Sequence, residues 1–452
     1  VTIASTDPVT GEVWARYPAL DASAIERRLA DADRVWRGYR RTGFAQRRAW
    51  LVRAAELLDA RVEEFAVLAA REMGKPLAEG RAEVSKCARA CRYYAEHGEK
   101  FLAPEPADAA AVGAGEAGVR WQPLGPVLAV MPWNYPFWQV VRFAAPALMA
   151  GNVALVKPAS NVPGCALALE KLFADAGFPA QVYQTLLIGS AAVSAVIADS
   201  RVAAVTLTGS GAAGRAVGEA AGRAVKKVVL ELGGSDPFIV LPSADIEQAA
   251  SVAVRSRFQN AGQSCISAKR FIVHRDCHDE FVAAVVSRAS ALRVGDPSAV
   301  DTDLGPMATA TDELGELVED AAALGAAVLC GGKPEGRFFP PTVVAGVTSE
   351  MRLYHEEAFG PVASIISVNS LDEAIEVANS TEFGLGAAAW TRDIGEQDRL
   401  VDELEAGAVF VNGMTASYPE LPFGGVKASG YGRELAAFGI REFCNAKTVW
   451  KA

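Results

Sequence analysis

Apolar positions follow two different rhythms along this chain. Between residues 126 and 232 they gather into four short, nearly unbroken runs, at 127–131, 153–156, 204–207 and 228–232. A run of that length bounded by polar residues predicts a strand buried on both faces. Between the runs the spacing turns helical. Cys165, Leu169, Leu172, Phe173 and Ala176 share one face, with Pro163 placed to open that helix and Gly177 to close it. Apolar strands alternating with amphipathic helices predict a parallel, doubly wound sheet, which takes ligands at the carboxyl ends of its strands. Asn134, Lys157, Gly209 and Glu231 each follow such a strand, so one rule gathers all four near one crevice.

The flanking regions extend the picture. A turn at Asp7-Pro8-Val9-Thr10-Gly11 predicts a hairpin at the start. Long helices follow, one marked by Leu51, Ala54, Ala55, Leu58 and Val62 and another over 77–97. After Gly234 the alternation resumes, with helices near 245–258 and 279–292 and strands near 270–273, 363–368, 387–390 and 409–412. That is a second α/β unit. The small-residue stretch 107–118 is a linker or a hairpin crossing between units. The tail at 446–450 alternates as a strand without a local partner, of the kind that pairs with another subunit.

Length and composition narrow the class. A chain of 452 residues needs two or three cores. With 51% hydrophobic and 22% charged residues, it has ample apolar surface to bury. No apolar run reaches the roughly 18–20 residues of a membrane helix. The opening Val1-Thr2-Ile3 is no charged-then-apolar leader, which makes the cytoplasm the expected location. A net charge of −10 argues against a nucleic-acid partner while permitting a local basic pocket. Seven cysteines, an odd number at low density, indicate a reducing compartment rather than a disulfide framework. Cys87 and Cys91 have helical spacing and read as packing residues rather than metal ligands. Four histidines occur and none is near Cys265, against a Cys–His hydrolase. His274 and His278 suit a surface or cap role.

Three segments carry chemistry: Met131-Pro132-Trp133-Asn134, Glu231-Leu232-Gly233-Gly234 and Gln259-Asn260-Ala261-Gly262-Gln263-Ser264-Cys265. A thiol that attacks, an amide that steadies an oxyanion and a carboxylate that activates water are what aldehyde oxidation through a thioester needs. Each has a plainer reading. Cys265 could be a core cysteine, Asn134 a turn residue before Pro136, and Glu231 a loop carboxylate capping a helix. The polar neighbours of Cys265 speak against an apolar slot.

In this order the segments resemble the aldehyde dehydrogenase superfamily, and the resemblance spans the chain from Pro8 to Trp450. The stretches 134–142, 231–238 and 415–425 are most similar to succinate-semialdehyde dehydrogenases of bacterial type. The resemblance implies an α/β fold with a doubly wound dinucleotide-binding domain over 1–100 and 122–233. It adds an α/β catalytic domain over 234–432 and a small β oligomerisation element from 101–121 and 433–452, in a homodimer or homotetramer. It implies Cys265 as nucleophile, Asn134 with the Cys265 backbone N–H as oxyanion hole and Glu231 as deacylating base.

Trp133, Lys157, Ser160, Gly209, Ser210 and Gly214 would bind the cofactor, Glu357 would hold the nicotinamide-side ribose, and Phe359 would pack near the ring. Relatives that use NAD often carry Glu where Ser160 stands. A carboxylate repels a 2′-phosphate and Ser can donate to one, so NADP is expected, with NAD also accepted. A simple helix N-cap is the other reading of Ser160. Phe423 would line the aldehyde funnel. Glu434 would assist proton exit or pair at the surface.

Arg142 lies eight residues past Asn134, about two helical turns on, and with Ser417 is the expected partner of a distal carboxylate. An Arg paired with a structural acid is the alternative. No metal is required. The expected partner is a small aldehyde, without nucleic acid or membrane. Other aldehydes, a CoA-acylating reaction and a non-catalytic binding protein on the same fold are the remaining classes.

Overall fold

The structure is a computed structural model and describes residues 2–452, so Val1 of the opening segment lies outside the described residues. The hairpin forms as Thr2–Thr6 against Val13–Pro18, and four helices follow, ending with the long Leu77–Phe101. The periodicity through Leu51 and Leu58 does not continue to Val62. One helix, Phe44–Ala60, stops at Arg61, and Val62–Met73 begins the next.

Two sheets organise the rest. The first has six strands in the spatial order Gly430–Tyr431, Lys227–Glu231, Ala204–Thr208, Pro126–Val130, Val153–Lys157, Tyr183–Thr185. All neighbours run parallel except Gly430–Tyr431, which lies antiparallel on Leu230 and Glu231. Pro126–Val130 is central. The chain first builds outward from it on one side, then returns to build on the other. That reversal leaves a crevice beyond the ends of Pro126–Val130 and Ala204–Thr208, the place where such sheets take ligands.

The second sheet has seven strands. Asp236–Val240 and Ala268–His274 sit at its centre, and only Ala327–Cys330 is antiparallel. Sequence pattern does not reveal Asp236–Val240, because only four residues separate it from the strand before and it opens on Asp-Pro. Thr342–Ala345, following Pro340 and Pro341, escapes for a similar reason.

The C-terminal strand corrects one expectation. Cys444–Lys451 has a local partner along its whole length, the antiparallel Glu116–Pro123, which also pairs with Glu105–Pro106. Its other edge is unpaired in the described chain. Cys87 and Cys91 are fully buried among apolar side chains, and His274 caps the helix Arg275–Ser290 by accepting from Asp276 N. Among the described residues no helix is long and apolar enough to cross a membrane.

Candidate active site

Cys265 is presented by a strained turn. The helix Ile246–Phe258 ends at Gln259, and then Asn260, Ala261 and Gly262 take φ values of 53°, 52° and +71°. Left-handed backbone in two non-glycine residues costs roughly 1–3 kcal/mol each and persists only where neighbours over-determine it. Here they do. Asn260 N donates to both carboxylate oxygens of Glu79, at 3.0 and 2.7 Å, and Asn260 Nδ2 donates to Asn134 O at 2.9 Å. Buried Arg257 donates to Gly262 O at 3.0 Å and Ala268 O at 3.1 Å. Buried Lys269 donates to Ser264 O at 3.0 Å and Cys265 O at 2.8 Å. A Cβ on Gly262 would stand 2.3 Å from Gly360 O, so this position admits only glycine. Sequence reasoning missed Arg257, Lys269 and Glu79. The available signal was two cations, Lys269 and Arg270, inside an apolar strand.

Two cavities meet at this turn. The larger is a cleft of about 1080 Å³ off the end of the six-stranded sheet. Trp133, Asn134, Lys157, Gly209, Ser210, Glu357 and Phe359 all line it beside Cys265, as the sequence suggests. Phe359 meets Trp133 edge-on at 5.9 Å between ring centroids. Glu357 Oε1 accepts from Gly234 N at 3.2 Å and pairs with Lys269 at 3.3 Å. Ser210 caps the helix Gly211–Arg223 by accepting from Ala213 N. Lys157 has no acidic partner among the described residues, and burial pulls its ammonium below its ordinary range. An unpaired ammonium beside a helix N-terminus suits phosphate oxygens, and the cleft has room for a dinucleotide.

Two of the expected cofactor residues stand differently. Gly214 faces the sheet rather than the cleft. A Cβ there would lie 2.5 Å from Leu232 Cδ2, so the glycine lets helix and strand approach. Ser160 is exposed on the loop after Val153–Lys157, one residue beyond Ala159, which does line the cleft.

The three catalytic candidates divide. Asn134 and Cys265 share the cleft wall. One N–H of Asn134 Nδ2 donates to Gln263 O at 3.0 Å, which ties the amide to the Cys265 turn and leaves the second N–H available. Burial pushes the Cys265 thiol up to about 12, while Arg142 and Lys269 pull it back. At rest the sulfur is therefore a thiol. Glu231 is buried and lies on neither cavity wall, though its successors Leu232 and Gly233 line the cleft. Its carboxyl oxygens have no hydrogen-bond partner. Burial, then Glu434, hold its pKa well above the carboxylate range, against Arg142 and Arg433. Gly424, at φ +153°, makes room for this carboxyl, since a Cβ would come within 2.7 Å of Glu231 Oε1.

The smaller cavity, about 210 Å³, also has Cys265 in its wall. Arg142, Ser417 and Phe423 all line it. Arg142 is buried and already engaged. Its Nε pairs with Glu434, its Nη2 donates to Thr208 Oγ1 at 3.3 Å, and its guanidinium lies 4.6 Å from the Phe423 ring centroid. Its charge is thus paired with an acid of the fold, and that acid, Glu434, is buried rather than at the surface. Ser417 Oγ accepts from Trp138 Nε1 at 3.0 Å and from Lys86 Nζ at 2.9 Å. Lys86 comes from Leu77–Phe101, far from every motif, and sequence gave no sign of it.

The family model described as the aldehyde dehydrogenase family matches residues 1–449. The chain is 58% identical over 455 residues to succinate-semialdehyde dehydrogenase (NADP(+)) 1 of Mycobacterium tuberculosis strain ATCC 25618 / H37Rv, covering all of both chains. It is 55% identical over 457 residues to the succinate-semialdehyde dehydrogenase (NADP(+)) of Mycobacterium leprae, again covering all of both. Among solved structures it is similar to the succinic semialdehyde dehydrogenase of Streptococcus pyogenes in complex with NADP+, at 36% identity and TM-score 0.96 over 99% of each chain.

Proposed function

We propose, from the premise that the chain belongs to the aldehyde dehydrogenase family, that it oxidises succinate semialdehyde to succinate with NADP as electron acceptor. The observation that carries this reading is the position of Cys265. Cys265 lines both a dinucleotide-sized cleft and a second pocket that carries Lys86 and Arg142.

The chemistry then follows from the residues present. Cys265, once deprotonated, forms a C–S bond to the aldehyde carbon. Asn134 Nδ2 and the Cys265 backbone N–H donate to the alkoxide, each worth about 3 kcal/mol where charge develops. NADP, when bound, would supply the hydride acceptor, and loss of the hydride from the carbonyl carbon would leave the acyl group on the Cys265 sulfur as a thioester. Glu231 takes a proton from water, the water oxygen bonds to the acyl carbon, and the C–S bond breaks to release succinate and the thiol. Burial raises the Glu231 pKa and so favours its neutral form, and Glu231 must be ionised to serve as base. Ser417 receives the distal carboxylate, with Phe423 packing on the substrate and Arg142, paired with Glu434, in the pocket wall. Lys157, Ser160, Gly209, Ser210, Glu357 and Phe359 hold the cofactor, with Trp133 beside them.

Residues 1–100 and 122–233 form the dinucleotide-binding part, 234–432 the catalytic part, and 101–121 with 433–452 the oligomerisation element. The open edge of Cys444–Lys451, with Trp450 exposed beside it, supports a homodimer or homotetramer, which light scattering checks. Seven free thiols favour work in the cytoplasm, testable by cell fractionation.

The deciding assay follows NADPH formation from succinate semialdehyde, with and without CoA. Cys265→Ala should abolish turnover while NADPH still binds. Turnover in that variant, or dependence of the wild type on CoA, ends this reading.

A further inference from the structure

We infer that Lys86 is the direct ionic partner of the substrate's distal carboxylate, with the Ser417 hydroxyl as its companion donor. This rests on the reaction proposed above. The argument is an account of donors and acceptors. Ser417 Oγ accepts from both Trp138 Nε1 and Lys86 Nζ, which occupies both lone pairs of a hydroxyl oxygen. The hydroxyl hydrogen therefore points elsewhere, and it has no acceptor among the described residues. Lys86 Nζ carries three N–H groups and spends one on Ser417. It has no ion pair among the described residues, and it is held over the Trp138 ring at 4.2 Å. Unspent hydrogens of a cation and a hydroxyl thus converge in a cavity that ends on Cys265.

The acids nearby are already engaged. Glu83 pairs with Lys75 and accepts from Phe137 N and Trp138 N, both at 2.8 Å. Glu79 accepts from Asn260 N, and Glu434 pairs with Arg142. Arg142 therefore brings a neutralised charge to the pocket and Lys86 a free one. A partly buried ammonium without a counter-ion is unfavourable, and an anionic ligand relieves it. A carboxylate offers enough lone pairs for Lys86 and Ser417 together. A neutral aldehyde of equal length leaves both unsatisfied, so the pocket discriminates by chemistry and not by size alone.

The same residue predicts a pH signature. Burial, and then Arg142, push the Lys86 ammonium down to about 8. Cys87, Glu83 and Arg89 face it from its own helix, Arg142 from the helix Trp138–Ala150, and Glu79 and Cys265 share its cavity. Below about 8 the ammonium is charged and holds the carboxylate, and above it the charge is lost.

The test compares wild type, Lys86→Met and Lys86→Arg on succinate semialdehyde and on butanal, with NADP, from pH 6.5 to 9.5. Lys86→Met should raise KM for succinate semialdehyde about 10- to 100-fold and leave butanal within about threefold. In the wild type, KM for succinate semialdehyde should climb above about pH 8 while that for butanal stays level. Lys86→Arg should restore tight binding and abolish the climb, and Glu79 is common to all three proteins. Calorimetric titration with succinate should show weakened binding in Lys86→Met alone. Equal changes for both aldehydes, or a climb that survives in Lys86→Arg, overturn the assignment. A wild type that makes no NADPH from succinate semialdehyde overturns the reaction instead.

Discussion

Burial raises the pKa of both Cys265 and Glu231 and so favours the protonated form of each. In the proposed reaction each would have to lose a proton at its own step. Acylation and deacylation are then separately addressable. Glu231→Gln should still form the thioester and release about one NADPH per active site, after which turnover falls by about 10²- to 10⁴-fold. Rapid-mixing absorbance at the NADPH band reads this directly, and a sustained linear rate with no burst contradicts it. Because burial raises the Glu231 pKa, any deacylation-limited rate should increase as pH rises through that raised value. At this scale the motifs were legible: Cys265, Asn134 and Glu231 sit in segments whose polar residues break an apolar pattern. Lys269 and Arg257 were not, because their work is to satisfy carbonyls of a turn whose shape no spacing rule reveals.

The helix Leu77–Phe101 illustrates what an element can hide. Glu79, Glu83 and Lys86 fall at i, i+4 and i+7, one face of a helix. In sequence a charged stripe of this kind is indistinguishable from a solvated surface. In the fold it faces inward and ties down three separate loops, through Asn260 N, Phe137 N and Trp138 N, and Ser417 Oγ. Glu83→Gln would leave Lys75, whose side chain is wholly buried, without its counter-charge. That should cost about 3–5 kcal/mol and lower the melting temperature by several degrees. Calorimetry checks it, and an unchanged Tm would show the pair to be dispensable. A second prediction belongs to the loop after Val153–Lys157. Ser160→Glu places a carboxylate near Lys157, so KM for NADP should rise at least tenfold relative to that for NAD. Steady-state kinetics with both cofactors decides it. Strand positions were largely legible, since buried parallel strands are short apolar runs. Asp236–Val240 was not, because two glycines and an Asp-Pro obscure its start.

For the whole molecule, alternation of strand and helix was enough to anticipate a parallel sheet and a second α/β unit, while it did not reveal pairing across long sequence separations. Cys444–Lys451 and Glu116–Pro123 find each other over more than 300 residues, and nothing local in either announces the other. Buried carboxyls also give the molecule a pH dependence. Glu79 and Asp236 are pushed up to about 7, chiefly by burial, whereas unfolded carboxyls titrate near 4. Between those values the native chain retains protons that the unfolded chain has released. On their account stability is greatest below about pH 4, declines toward pH 7 and is level above. Asp236→Asn should therefore flatten part of the fall in Tm between pH 5 and 7, measured by scanning calorimetry. A slope identical to wild type would remove Asp236 from this balance.

Cys265 lines two cavities at once, the large cleft and the smaller pocket that carries Lys86 and Arg142. A molecule with two doors to one bench need not admit its visitors in a fixed order. An electrophile with an anionic tail, fastened to that thiol from the pocket side, leaves the other entrance open. Such a blocked enzyme, though dead, should still quench and shift NADPH fluorescence with nearly its original affinity.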